Sequence, residues 1–152
     1  MNLMNYTSTV PAYRSIAYIE SKLAGHGAKQ IVKFYDDESR VSSIAFIMNV
    51  NGVEIPYKLP ARVQKCEHVL KSSVKRPRKD TFKRIAEQSE RTAWKIVSDW
   101  VDAQMAMIEL SQVEFMEVFL PYLYSYKKDQ TYFESIKERG YKALLPGFVN
   151  KE

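Results

Sequence analysis

The longest hydrophobic pattern in the chain has the period of an α-helix. Apolar side chains recur three or four positions apart from Phe82 onward, and Asp80 stands where a helix N-cap would be. The apolar positions are Phe82, Ile85, Ala86, Ala93, Trp94, Val97, Trp100, Val101, Met107 and Ile108. We therefore predict a long amphipathic helix that begins after Asp80. We expect Trp94 and Trp100 to lie in the core or at a dimer seam.

The first third of the chain changes from a helical to an alternating pattern. Pro11 suits the first turn of a helix, and Gly25 suits its C′ position. Three runs rich in β-branched and aromatic residues follow, at 29–35, 40–50 and 53–59. Asn51 and Gly52 tolerate the positive φ angles of a type I′ turn. We predict a helix and a three-stranded antiparallel meander, with the third strand at an edge because Pro56 lacks an N–H donor.

Shorter helices are predicted on either side of the long one. The first extends from Pro60 to Lys71. The second begins after Ser111, because Ser111 and Glu114 have the spacing of a capping box, and Pro121 interrupts it.

The C-terminal part is predicted to contain a linker and a final helix. A tyrosine-rich linker covers residues 122–128, Asp129 caps the helix, and Gly140 ends it. We expect three apolar side chains of this helix to point inward: Tyr132, Phe133 and Ile136. Residues 145–147 (Leu-Pro-Gly) would then close the fold.

This order of elements, α-β-β-β-α-loop-α-α-α, is typical of an α+β fold. We predict a single α+β domain over residues 1–152. It consists of an α-β-β-β-α part at 1–71, a basic loop at 72–80 and a helical part at 81–152.

Composition narrows the class of protein. The hydrophobic content of 45% is sufficient for a core, and no apolar run approaches the length of a membrane span. The N-terminus lacks the basic-then-apolar layout of a signal peptide. Because Cys66 is the single cysteine, an intramolecular disulfide is excluded. We expect a soluble protein in the cytoplasm.

The net charge of +5 is concentrated in one stretch. Residues 58–84 hold ten basic and two acidic side chains, whereas residues 1–57 hold five of each and residues 85–152 hold eight basic and eleven acidic ones. A concentrated cationic segment attracts polyanions. We predict that seven residues contact nucleic-acid phosphates: Lys71, Lys75, Arg76, Arg78, Lys79, Lys83 and Arg84.

The tyrosines of the predicted linker have two interpretations. Tyr122, Tyr124 and Tyr126, beside Lys127 and Lys128, could stack on unpaired bases. Alternatively, a helix junction buries such tyrosines and leaves the hydroxyl at its rim.

No cluster of residues has the spacing of a catalytic or metal site. Cys66 and His68 are two positions apart and diverge on a helix, so we expect no metal and no cofactor. Asp99, Asp102 and Glu109 could share a helix face as a divalent-cation site, or simply be solvated. We favour a non-enzymatic protein and keep an enzyme acting on a nucleotide or nucleic acid as a third class.

Several segments resemble a family of small uncharacterised phage and prophage proteins. They are Thr9-Val10-Pro11, Gly27-Ala28, residues 91–104 (RTAWKIVSDWVDAQ) and residues 118–122 (VFLPY). The resemblance implies a phage-encoded protein that works in a bacterial cytoplasm, in DNA metabolism or against host defences.

Two functions follow as hypotheses. The first is a non-enzymatic protein that binds nucleic acid, DNA in preference to RNA, mainly through phosphate contacts. The alternative is a protein-interaction module that inhibits a host enzyme or defence complex, because an apolar long helix suits a partner groove or a homodimer seam.

Overall fold

The strands of an antiparallel sheet and most of the helices occupy separate stretches of the chain, which confirms the predicted α+β class. The structure, a computed structural model, describes residues 2–144. Its elements are α1 (Ala12–Gly25), β1 (Gln30–Tyr35), β2 (Val41–Val50), β3 (Val53–Pro60), α2 (Val63–Ser72), α3 (Thr81–Glu109), α4 (Phe115–Phe119), β4 (Tyr124–Ser125), β5 (Gln130–Thr131) and α5 (Tyr132–Glu138). Two 3-10 turns lie at Leu120–Tyr122 and Lys142–Leu144. Within residues 2–144, no helix combines the length and the apolar character that crossing a membrane requires.

The three-stranded antiparallel meander is confirmed. Its strand order is β1-β2-β3, and Ile44 in the middle strand pairs with Lys33 on one side and Leu59 on the other. Asn51 and Gly52 have φ angles of 52° and 85°, as a type I′ turn requires. β3, which contains Pro56, is an edge strand of this sheet.

One face of the sheet packs on α1, α3 and α4 to form the core. Trp94 is fully buried, and its indole N–H donates a hydrogen bond to the carbonyl oxygen of Val41 at 2.9 Å. Trp100 is partly buried and packs edge-on against Phe119, with ring centroids 5.5 Å apart. The core interpretation of both tryptophans is therefore confirmed for this chain.

The apolar side of α3 is covered by α1 and α2, which both pack along it. Trp94, Val101 and Met105 lie beneath that cover and are buried. The exception is Phe82 in the first turn, which is 49% exposed. Its predicted place on the buried side was wrong, because the covering helices do not enclose the start of α3.

Two helix ends differ from the prediction because another residue adopts positive φ. Gly27, not Gly25, has a φ of 102°, and the next amide donates to the carbonyl oxygen of Leu23, as in a Schellman motif. Ser111 likewise has a φ of 57° and ends α3, so it does not cap a new helix. The cap of α4 is Glu114, whose N–H donates to the carboxylate of Glu117.

The predicted start of α2 needs correction, whereas α3 begins directly after Asp80 as predicted. Pro60 is the last residue of β3, and α2 begins at Val63 after Arg62, which has a φ of 54°. Asp80 stands at the N-cap of α3, but its side chain makes no capping hydrogen bond within residues 2–144. Instead the hydroxyl of Thr81 accepts a hydrogen bond from the N–H of Arg78 at 2.7 Å.

The predicted C-terminal linker contains a small antiparallel hairpin, β4–β5. Thr131 caps α5 by accepting from the N–H of Glu134, so the predicted cap at Asp129 was wrong. Ile136 is buried as predicted, but Tyr132 and Phe133 are 39% and 42% exposed. Gly140, with a φ of 66°, follows the helix end as predicted. The predicted closing turn at 145–147 lies outside the described residues.

Candidate nucleic-acid interface

The basic segment, which we define as residues 71–84, joins the end of α2 to the start of α3. Pro77 has no N–H for a helix, so the connection between the two helices is irregular. The hydroxyl of Ser73 donates to the carbonyl oxygen of Leu70, and Thr81 accepts from Arg78. The segment is therefore anchored at both ends to helices that pack on one another.

All seven cations predicted to contact phosphate are exposed in the structure. Lys71 pairs with Glu67, with 2.9 Å between its ammonium and the carboxylate. The other six form no ion pair within residues 2–144: Lys75, Arg76, Arg78, Lys79, Lys83 and Arg84. The first turn of α3, which includes Lys83, contains no acidic residue. The segment thus presents six solvated positive charges within ten residues.

Several cations elsewhere are engaged by carboxylates. Arg40 contacts Asp36, Glu38 and Glu67 at 3.0, 2.7 and 3.1 Å. Other paired cations are Lys22, Lys29, Lys33, Lys58 and Lys95. These charges are partly neutralised, whereas six of the seven predicted contact cations in the basic segment keep their full charge.

Phe82 lies among these cations and was not predicted as part of the site. Its ring is half exposed, and the ammonium of Lys71 stands 5.4 Å from the ring centroid. An exposed ring beside cations can stack on a nucleobase. The sequence signal that could have found it is its position three residues after Lys79, at the edge of the charged stretch.

The three predicted stacking tyrosines have different environments. Tyr122 is partly buried against Trp100, with ring centroids 5.7 Å apart. Tyr124 is 7% exposed and donates its hydroxyl to Asp129 at 2.5 Å. Burial and the Asp129 carboxylate raise the pKa of Tyr124 to about 12. Tyr126, 53% exposed, is the ring of this group that offers an open face.

The tyrosines are at the opposite end of α2 from the basic segment. Asp129 and Thr131 of the hairpin line a cleft with Arg62 and Lys65 at the N-terminal end of α2, whereas the basic segment begins in the last turn of this helix. A helix of this length extends about 15 Å. The structure therefore does not bring the tyrosines and the basic segment into one site.

The acidic and nucleophilic candidates are engaged in structural contacts. Asp99 accepts from Asn5 and Lys95, which lowers its pKa although burial acts to raise it. Asp102 accepts from Tyr18 at 2.7 Å. Burial raises the pKa of the Cys66 thiol, which disfavours the thiolate. Within residues 2–144, no group of three or more histidine, cysteine or acidic residues is placed to hold a metal ion.

The basic segment, with Phe82 at its edge, is thus the surface whose charge and exposure are suited to a polyanionic ligand. No protein-family model, curated protein or solved structure matches this chain significantly.

Proposed function

We propose that this chain is a non-enzymatic nucleic-acid-binding protein whose basic segment contacts phosphates. The observation that supports it is the set of six exposed cations without an ion pair within residues 2–144. Each cation that neutralises a phosphate releases condensed counterions, and this release favours binding at low salt. An unpaired cation contributes its full share to the binding free energy, because no existing ion pair has to be broken before it contacts a phosphate.

The geometry of the segment favours binding that is largely independent of sequence. The cations lie on an irregular connection and on the first turn of α3. Phosphate contacts position a protein on nucleic acid, whereas base contacts specify the sequence. The N-terminal end of α3 adds a partial positive charge from its aligned peptide dipoles.

The decisive variant replaces Lys75, Arg76, Arg78 and Lys79 by Ala. A matched control replaces Arg14, Lys29, Lys33 and Lys137 by Ala and so removes the same charge elsewhere. Fluorescence anisotropy with labelled single-stranded DNA, duplex DNA and RNA is measured over a salt series. We expect the first variant to lose about a hundredfold in affinity at low salt and to reduce the salt slope by about 3. The control should lose less than about threefold.

Equal losses in the two variants would mean that net charge, not this segment, drives binding. Unchanged affinity in the first variant would overturn the proposal. Circular dichroism should show both variants folded, since all the residues replaced in either variant are exposed.

The alternative, a protein-interaction module that inhibits a host enzyme or defence complex, has a different supporting observation. Tyr13 and Tyr18 on α1 are 71% and 42% exposed, and Tyr6 in the preceding segment is 43% exposed. Exposed tyrosines are enriched at protein interfaces. A stoichiometric complex with one bacterial protein that survives nuclease treatment would favour this function over the first.

A further inference from the structure

A cleft of about 390 Å³ lies at the N-terminal end of α2, outside the basic segment. Its lining includes Ser43 of β2, Lys58 of β3, and Arg62 to Lys65 at the start of α2. This volume lies within the range of small-molecule sites.

The start of α2 presents backbone donors without acceptors. The N–H groups of Val63 and Gln64 lie in the first turn and have no hydrogen-bond acceptor within residues 2–144. The N-cap residue of this ten-residue helix is Arg62, whose side chain cannot accept a hydrogen bond and so does not cap it. Free N–H groups and the helix dipole favour an anion at this position.

Ser43 is a second and independent feature of the cleft. It is only 4% exposed, and its hydroxyl has no hydrogen-bond partner within residues 2–144 although it retains some accessible surface. Because this hydroxyl keeps some accessible surface, it can bond to water or to a ligand in the cleft. Since Ser43 lines the cleft, a ligand there could satisfy it.

Two of the three carboxylates that line the cleft are paired with cations, so the charges left free within the described part of the chain are one carboxylate and two cations. Asp36 pairs with Arg40 at 3.0 Å, and Asp129 accepts from Tyr124 and Lys58. Glu134, the third carboxylate of the lining, accepts from the N–H of Thr131 at 2.9 Å. Arg62 and Lys65 form no ion pair within the described part of the chain.

We propose that this cleft binds a phosphate group. The donors are the side chains of Arg62 and Lys65, the amides of Val63 and Gln64, and the hydroxyl of Ser43. A phosphate has at least three acceptor oxygens directed to different sides, so it can use backbone, hydroxyl and cationic donors together. The site shares no residue with the basic segment and does not depend on the function proposed for it.

The test follows backbone amides by NMR while sodium phosphate is added, with sodium chloride at matched ionic strength as reference. We expect saturable shifts at Val63 and Gln64 that chloride does not produce. Ser43→Ala and Arg62→Asn should each weaken phosphate binding about tenfold, the loss expected for one hydrogen bond to a charged group. Asn is chosen because it tolerates the positive φ of Arg62. Arg78→Ala, in the basic segment, should leave the shifts unchanged.

A second arm identifies the source of the phosphate. A short single-stranded DNA with a 5′-phosphate is compared with its 5′-hydroxyl counterpart, in the variant that lacks the four cations at 75–79. Selective shifts with the 5′-phosphate assign a nucleic-acid end, and shifts with inorganic phosphate alone assign a free phosphate. Both results support the cleft.

Absence of shifts at Val63 and Gln64 with every phosphate probe would overturn the inference. So would undiminished phosphate binding in both Ser43→Ala and Arg62→Asn. Failure of the basic-segment proposal has a separate signature, because it appears as unchanged DNA affinity when the cations at 75–79 are replaced.

Discussion

Phe82 is a hydrophobic residue that the fold leaves at the surface. Its apolar ring continues the pattern of α3, yet it is 49% exposed and lies next to Lys83 and Arg84. Lone exposed apolar residues are common and need no explanation by themselves. Here the ring lies beside cations, and if these hold a phosphate backbone as proposed, a neighbouring base would lie within reach of the ring.

We predict that Phe82→Ala weakens binding to single-stranded DNA by about tenfold, because stacking on one base contributes about 1–3 kcal/mol. The affinity for duplex DNA should fall by less than about twofold, because the bases of a duplex are already stacked on each other. Phe82→Leu should behave like Phe82→Ala, and Phe82→Trp should restore binding. Anisotropy with both DNA forms measures these ratios. An equal loss on single and double strands would contradict stacking and indicate a disturbed segment.

Arg40 shows how one side chain links two elements. Its guanidinium joins the β1–β2 turn, through Asp36 and Glu38, to Glu67 in α2. The hydrogen bond from Lys71 and the one from Arg40 lower the pKa of Glu67 against the effect of burial. Burial also acts to raise the pKa of Asp36, but its hydrogen bonds with Arg40 outweigh that effect. The network therefore helps fix α2, the helix between the two proposed sites.

We predict that Arg40→Met lowers the free energy of unfolding by about 3 kcal/mol at pH 7, because it leaves the partly buried Asp36 without its cation and Glu67 with Lys71 alone. Carboxyl groups with lowered folded-state pKa values stabilise the protein above their unfolded values of 3.8 and 4.5. This stabilisation is lost as the pH falls through the folded-state values. The variant should therefore lose less stability than the natural protein between pH 5 and about pH 3.

Urea unfolding at several pH values measures this difference. Lys29→Met is the matched control, because its ion pair with Glu54 is exposed on both sides and should contribute less than about 1 kcal/mol. If the free energy of unfolding falls equally with decreasing pH in the natural protein and in Arg40→Met, Arg40 is not the cause of the lowered carboxyl pKa values. Glu90, whose pKa burial raises, also interacts with Arg40 and should be followed in the same titration.

The whole molecule is organised around an aromatic cluster between the sheet and the helical part. Phe119 is fully buried at its centre, with its ring stacked on Phe115 at 4.3 Å and edge-on to Phe46 at 6.0 Å. Trp100 of α3, Tyr57 of β3 and Tyr122 also contact the ring of Phe119. The cluster therefore joins residues far apart in the chain into one core.

We predict that Phe119→Ala lowers the free energy of unfolding by about 3–5 kcal/mol, because it removes a buried ring and leaves a cavity. Phe133→Ala, at a site 42% exposed, should change it by less than about 1 kcal/mol. Denaturant unfolding of the three proteins provides the comparison. Similar losses in the two variants would contradict the central position of Phe119 in the core.

The sequence alone determined the α+β class, the meander and the long helix, because these follow from local patterns. Asn51-Gly52 marked the hairpin through its positive φ angles, and the helical period marked α3. The exposure of the predicted phosphate-contacting cations was also predictable, because unpaired charges are rarely buried. Their proposed role in binding stays a prediction.

Tertiary structure decided which residues are exposed, paired or capping, since these depend on neighbours distant in sequence. Phe82 fits the apolar period but lies beyond the helices that cover α3, and Tyr124 is buried because the hairpin folds back on Lys58. The cleft at α2 brings Ser43 to a helix start twenty residues later. Local sequence specifies the elements, whereas their packing determines which donors and rings remain available to a ligand.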